Sequence, residues 1–83
     1  MAVTIAAVYA LFIHTANADR APTPEESSRI EQALRGLGFV SWKKIELDDG
    51  HWEIDDARHS DGKKYDLELN AENLKVTKQK EDD

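Results

Sequence analysis

The sequence contains no cysteine, only two prolines and four glycines, and its aromatic residues make up 7% of 83 residues. Without cysteine, no disulfide can stabilise the fold and no thiolate can act as a nucleophile or a zinc ligand. Charged side chains are absent before Asp19, so all 17 acidic and 11 basic residues, and the net charge of -6, belong to the rest of the chain. An acidic surface disfavours nucleic acids and anionic membranes as partners, and we expect neither.

Long hydrophobic runs are also absent. The longest, residues 3–13, is too short to cross a hydrocarbon core about 30 Å thick as a helix. It is followed by Ala16-Asn17-Ala18, whose small first and third residues suit a signal peptidase, although no basic residue precedes the run. We predict a signal peptide over residues 1–18, a linker over 19–23, and a periplasmic or secreted location for the mature chain.

A helix is predicted over residues 24–36. Thr23 and Glu26 can form a capping box, with Pro24 in the first turn. Apolar residues then recur at helical spacing on one stripe, namely Ile30, Ala33, Leu34 and Leu37. This amphipathic helix needs an apolar surface to pack against.

Four later segments have the composition of strands: residues 39–47, 51–58, 63–69 and 74–78. Short turns between them make neighbouring strands antiparallel. The predicted registers give two continuous apolar rows, Leu47–Trp52–Leu69–Leu74 and Ile45–Ile54–Leu67–Val76. The sequence therefore predicts an α+β fold in which one N-terminal amphipathic helix packs on a four-stranded antiparallel meander, with a polar tail over 79–83.

The opposite face of this sheet is predicted to be acidic. Its rows are Glu46–Glu53–Glu68–Lys75 and Lys44–Asp55–Asp66–Thr77, which set like charges opposite one another at a cost in stability. A solvated face, a docking surface for a basic partner and a divalent-cation site all remain open. The candidate partner-binding residues are Trp42, Glu46, Glu53, Asp55, Asp66 and Glu68. Trp42 faces outward as an interface anchor in the simple register, but a bulge would turn it into the core.

The remaining titratable residues give no catalytic constellation. His51 and His59 lie at opposite ends of one strand, roughly 20 Å or more apart, and are expected to be exposed turn residues. Asp56 is expected on the inner face, paired with Lys43 and Tyr65. The sequence holds no Ser-His-Asp set, glycine-rich phosphate loop or HExxH motif. We therefore expect no catalytic residues, no metal site and no cofactor, and do not expect an enzyme.

A capped helix followed by Trp52-Glu53-Ile54, by Asp61-Gly62 and by the alternating strand 63–69 resembles the PepSY domain over residues 24–78. The segment 70–74 departs from the family pattern because it lacks the usual Thr-Gly turn. The resemblance implies an exported protein of a family that includes protease propeptides, with an inhibitory or regulatory role and no family catalytic residues. The expected function is a non-enzymatic periplasmic or secreted binding module whose protein partner is basic or a protease. The alternative is a small structural or cation-binding acidic protein.

Overall fold

A computed structural model describes residues 19–82 of the chain. It contains one helix, α1 (Pro24–Gly36), and five strands: β1 (Phe39–Ser41), β2 (Lys44–Asp48), β3 (His51–His59), β4 (Lys64–Asn70) and β5 (Val76–Glu81). All strand pairs are antiparallel. The predicted α+β class is confirmed. The predicted signal peptide, residues 1–18, lies outside the described residues.

The helix begins as predicted. The Thr23 hydroxyl accepts a hydrogen bond from the Glu26 backbone N–H at 3.2 Å, and the Thr23 N–H donates to the Glu26 carboxylate at 2.9 Å. Arg20 adds two bonds to the same carboxylate, at 2.7 and 3.0 Å. Its backbone also pairs with Leu47 of β2, so the predicted linker is joined to the sheet.

The sheet has five strands rather than the four predicted. Its order is β1-β3-β4-β5, and β2 lies beside β1 on the same edge of β3. β1 and β2 are the two halves of the predicted first strand, interrupted at Trp42 and Lys43. The interruption faces Asp56 of β3, whose φ of 50° takes that strand out of the extended conformation.

The core lies between α1 and one face of the sheet. The predicted pairs Leu47–Trp52, Ile45–Ile54, Trp52–Leu69 and Ile54–Leu67 are all observed. The buried residues are Ile30, Leu34, Phe39, Trp52, Ile54, Ala57, Leu67 and Leu69. Leu37 was predicted to join this core but is 48% exposed, because it lies just after the last helical residue, at the C-cap.

The prediction that Asp56 pairs with Tyr65 on the inner face is wrong. The β3–β4 register shifts between Ile54 and Ala57, and Ala57 pairs with Tyr65 instead. The turn itself explains the shift. His59 N–H donates to the Lys63 carbonyl at 2.9 Å, which leaves a three-residue loop with Gly62 at φ 91°. The predicted strands 51–58 and 63–69 leave a four-residue loop, so the observed loop is one residue shorter, and the extra residue of β3 is accommodated as a bulge at Asp56.

The β4–β5 register also differs from the prediction. Leu69 pairs with Val76 rather than Leu74, and β5 continues to Glu81, into the predicted polar tail. The Asn70 side chain accepts hydrogen bonds from the N–H groups of Glu72 and Asn73, and Asn70 N–H donates to Lys75 O, which lengthens the connection. Leu74, at φ 61°, completes this turn and packs against the core.

Candidate functional site

Five carboxylates lie on the sheet face opposite the helix, and we call this set the acidic face: Glu46, Glu53, Asp55, Asp66 and Glu68. They reach one face because side chains alternate along a strand. Glu46 pairs with Glu53, and Glu53 pairs with Glu68, as predicted. The carboxylates of three neighbouring strands therefore form a row in which like charges face each other.

Lysines border the acidic face on its β5 side. Glu68 pairs with Lys78, and Asp66 pairs with Lys80. Lys75 and Thr77 were predicted at these positions, and the longer turn displaces both. A shallow groove of about 250 Å³ runs between the carboxylates and these lysines. At the other border, Lys44 lies 3.5 Å from Glu46. The face is therefore negative at its centre and positive along β5.

Negative charge is crowded around Glu53. A side-chain hydrogen bond with the Asp48 carboxylate raises the pKa of Glu53, and partial burial and the charges of Asp48, Glu68 and Asp55 raise it further. Asp48 was not among the residues predicted for this site. The sequence could have indicated Asp48, because a two-residue Asp49-Gly50 turn places Asp48 directly opposite His51.

His51 is the first residue of β3, where the predicted second strand begins, but it is less exposed than was expected beside a turn, with 35% of its side chain accessible. It lies two residues before Glu53 and therefore on the same face. Its Nε2 atom is 3.7 Å from Oε1 of Glu68. One nitrogen ligand and two carboxylates meet here, with ligand atoms of His51, Glu53 and Glu68 all within 4.8 Å of one another.

Trp42 is not part of the acidic face. It packs against the core, partly buried, and the Arg35 guanidinium of α1 lies 5.1 Å from its ring centroid. It therefore lies on the helix side of the sheet. Of the two predicted positions for Trp42, the structure has the inward one, whereas Val40 stays outward with 55% of its surface exposed.

The bulge brings together a second set of carboxylates, from Asp56, Asp66 and Asp82. The backbone N–H of Asp56 donates to Asp66 Oδ1 at 3.1 Å. A hydrogen bond from the Asp82 carboxyl lowers the pKa of Asp56, and the charges of Lys64, Lys43 and Arg58 lower it further. The same contact raises the pKa of Asp82. The ionised form of Asp56 is therefore favoured, although two other carboxyl groups lie beside it.

A family model described as "Peptidase propeptide and YPEB domain" (PepSY_2) matches residues 1–80. The searches of curated proteins and of solved structures found no match. Across residues 19–82, no helix is long and apolar enough to cross a membrane.

Proposed function

Because the chain belongs to the PepSY family of peptidase propeptide and YPEB domains, we propose that it is an exported, non-enzymatic module that binds and regulates a protease. The match covers nearly the whole chain, and a family that includes peptidase propeptides suggests a proteolytic enzyme as the partner. Family membership is the observation that carries the proposal. The predicted signal peptide supports export.

The acidic face is the surface that we assign to the partner. Glu46, Glu53 and Glu68 are half-buried, and Asp55 and Asp66 are exposed, so their charges can reach a docked protein. The helix side of the sheet is already occupied by the core. Since like charges opposite one another destabilise a sheet, a partner's basic side chains would relieve a repulsion present in the free protein.

The lysines of β5 restrict which partners fit. A uniformly basic surface would be attracted to the carboxylates but repelled by Lys78 and Lys80. The expected partner surface is therefore basic opposite β2 to β4 and acidic or neutral opposite β5. Such complementarity acts mainly on the association rate and on specificity.

Trp42 was a candidate anchor for the partner, but its position in the structure does not suit that role. Because it packs on the helix side beneath Arg35, it cannot anchor a partner on the acidic face. We therefore assign partner binding to Glu46, Glu53, Asp55, Asp66 and Glu68, and a structural role to Trp42.

Affinity capture tests the proposal. The immobilised chain is exposed to the exported proteins of its host at low and high salt, and protease activity is assayed in the eluate. We expect a protease to be retained at low salt and less of it at high salt. The double variant Glu53→Gln/Asp55→Asn should retain less, whereas Glu25→Gln/Glu72→Gln, which removes the same charge elsewhere, should match the unmodified chain. Equal capture by both variants at every salt concentration, or no protease in the eluate, would contradict the proposal.

A further inference from the structure

We propose that His51, Glu53 and Glu68 form a binding site for a divalent transition metal of the zinc type. The proposal differs from the sequence-based expectation of no metal site, and it does not depend on the proposed protease partner. The three ligands come from the paired strands β3 and β4 and lie on one face of the sheet.

The strand geometry explains why the three side chains converge. His51 and Glu53 are two residues apart on β3, so both project from the same face. Glu68 is the direct cross-strand partner of Glu53 and a diagonal neighbour of His51, whose own partner is Asn70. Side chains at such positions are within reach of one another. Both strands are central in the sheet, which limits backbone movement at the site.

The distances are close to those that a metal requires. Ligand atoms of a tetrahedral zinc, with bonds of about 2.0–2.2 Å, lie roughly 3.4 Å apart. His51 Nε2 and Glu68 Oε1 are 3.7 Å apart, and the third ligand atom, from Glu53, lies within 4.8 Å of both. The remaining gap lies on the Glu53 side, so this flexible side chain would have to turn toward the other two ligand atoms when the metal binds.

The ligand types select the class of metal. Calcium binds six to eight oxygen atoms, usually from a curved loop, and magnesium retains most of its water. An imidazole nitrogen with two carboxylates suits zinc, copper or nickel, with water completing the coordination. The surrounding charge also favours a cation, because Asp48 pairs with His51 and Glu46 pairs with Glu53. Lys78, opposite Glu68, is the nearest opposing charge in the strand register.

The test is calorimetric titration of the full chain with Zn²⁺, and separately with Ca²⁺ and Mg²⁺. We expect one zinc per chain, bound much more tightly than calcium or magnesium, with an affinity that falls as the pH is lowered through the histidine range. His51→Gln should weaken zinc binding by about tenfold or more, since even the loss of a residue that supports a ligand costs that much. Glu72→Gln, in the β4–β5 turn, is the matched control and should leave the affinity unchanged.

A second measurement separates loss of a ligand from loss of fold. In NMR spectra of the unmodified chain, zinc should shift the imidazole signals of His51 and leave those of His59 in place. If His51→Gln proves unfolded by circular dichroism, Glu68→Gln with the same NMR readout takes its place. The proposal is overturned if zinc binds His51→Gln as tightly as the unmodified chain, if it shifts His59 instead, or if calcium binds equally well.

Discussion

Glu53 has the least favourable charge environment on the acidic face, and this predicts a gain in stability when its charge is removed. Its pKa is raised, so the folded state disfavours the ionised form. Protonated Glu53 therefore contributes to the free energy of unfolding at acid pH. This contribution is lost as the pH rises through the pKa that Glu53 has in the folded state. Glu53→Gln should stabilise the metal-free protein at pH 7 by a few tenths of a kcal/mol.

Thermal melts with a chelator present measure this effect, with Glu25→Gln as the control for a carboxylate on the helix. The gain should disappear at a pH low enough to protonate Glu53. A lower melting temperature for Glu53→Gln at pH 7 would show that Glu53 makes a net stabilising contact.

The pKa of Glu26 is lowered, whereas that of Glu53 is raised. The Arg20 guanidinium, followed by the Thr23 backbone N–H, lowers the pKa of Glu26 from 4.5 to about 2. Its ionised form therefore stabilises the fold above pH 4.5, and this stability is lost as the pH falls toward 2. Glu26→Gln should cost about 0.5–1 kcal/mol at pH 7, since it removes the partly exposed ion pair with Arg20, whereas the glutamine carbonyl can still accept the Thr23 N–H.

Urea unfolding at a series of pH values checks this prediction, again with Glu25→Gln as the control. The difference between Glu26→Gln and the unmodified chain should narrow between pH 4.5 and 2. A difference that does not change with pH would mean that the charge of Glu26 contributes nothing.

Interactions confined to one turn were the ones that the sequence predicted best. The Thr23–Glu26 capping box depends on residues three apart, so its pattern can be read directly. Asp56 could not be placed in this way. Its position depends on whether the β3–β4 loop has four residues, 59–62, as predicted, or three, 60–62, as observed, and the same Ser-Asp-Gly sequence suits both. The cluster of Asp56 with Asp66 and Asp82 was missed for that reason.

At the scale of elements, the connection between α1 and β1 depends on Gly38. Its φ is 97°, and a Cβ atom placed there would lie 2.6 Å from Nε2 of His59. That nitrogen bonds to the Leu37 carbonyl at 3.0 Å, while Nδ1 accepts the Asp61 N–H at 3.0 Å. The His59 ring thus joins the end of the helix to the β3–β4 turn.

Gly38→Ala should therefore destabilise the fold by about 1–3 kcal/mol, because it combines backbone strain with displacement of His59. Gly36→Ala is the matched control, since a Cβ atom there meets nothing within 4 Å. It should be neutral or slightly stabilising. Chemical denaturation of both variants measures the difference, and equal stability of the two would contradict the role given to His59.

The strand registers show which turns can be read from a sequence. Asp49 and Gly50 both have positive φ, at 50° and 86°, as a two-residue hairpin requires, and the β2–β3 register was predicted correctly. The β4–β5 connection depends on side-chain bonds of Asn70 and on a left-handed Leu74. An apolar residue in that conformation is uncommon, so the pattern gave no indication of it. Glu53 and Glu68 were predicted to lie on one face by alternation, but His51 was taken as a turn residue, so the convergence of the three side chains was seen only in the structure.

Packing of α1 on the sheet predicts the largest stability effects. Leu67 is buried beneath the helix, and Leu67→Ala should cost about 2–5 kcal/mol, a large fraction of the stability of a domain this small. Leu37→Ala makes the same chemical change at an exposed position and should cost much less. Equilibrium unfolding in urea compares them directly. Similar losses for both would show that the core lies elsewhere.

At the scale of the whole molecule, the fold separates two surfaces. One face of the sheet is covered by α1 and supplies the stability, while the other carries carboxylates that the stability of the fold does not require. The net charge of -6 lies entirely after residue 18, and on this face of the sheet the carboxylates lie on β2 to β4 while β5 carries lysines. These lysines also make the outer edge of the sheet a poor site for pairing with another strand.

The proposed regulation of a protease through the acidic face can be tested directly with the captured protease. The measurement is the rate at which this protease hydrolyses a substrate as the concentration of the chain is increased. We predict that the hydrolysis rate changes with the concentration of the chain until it reaches a plateau. The variant Glu53→Gln/Asp55→Asn should need a higher concentration to reach half of this change than the unmodified chain does. The control Glu25→Gln/Glu72→Gln should behave like the unmodified chain. The difference between the two variants should shrink as salt is added. An unchanged rate at saturating concentrations of the chain, or identical curves for the two double variants at low salt, would contradict the account.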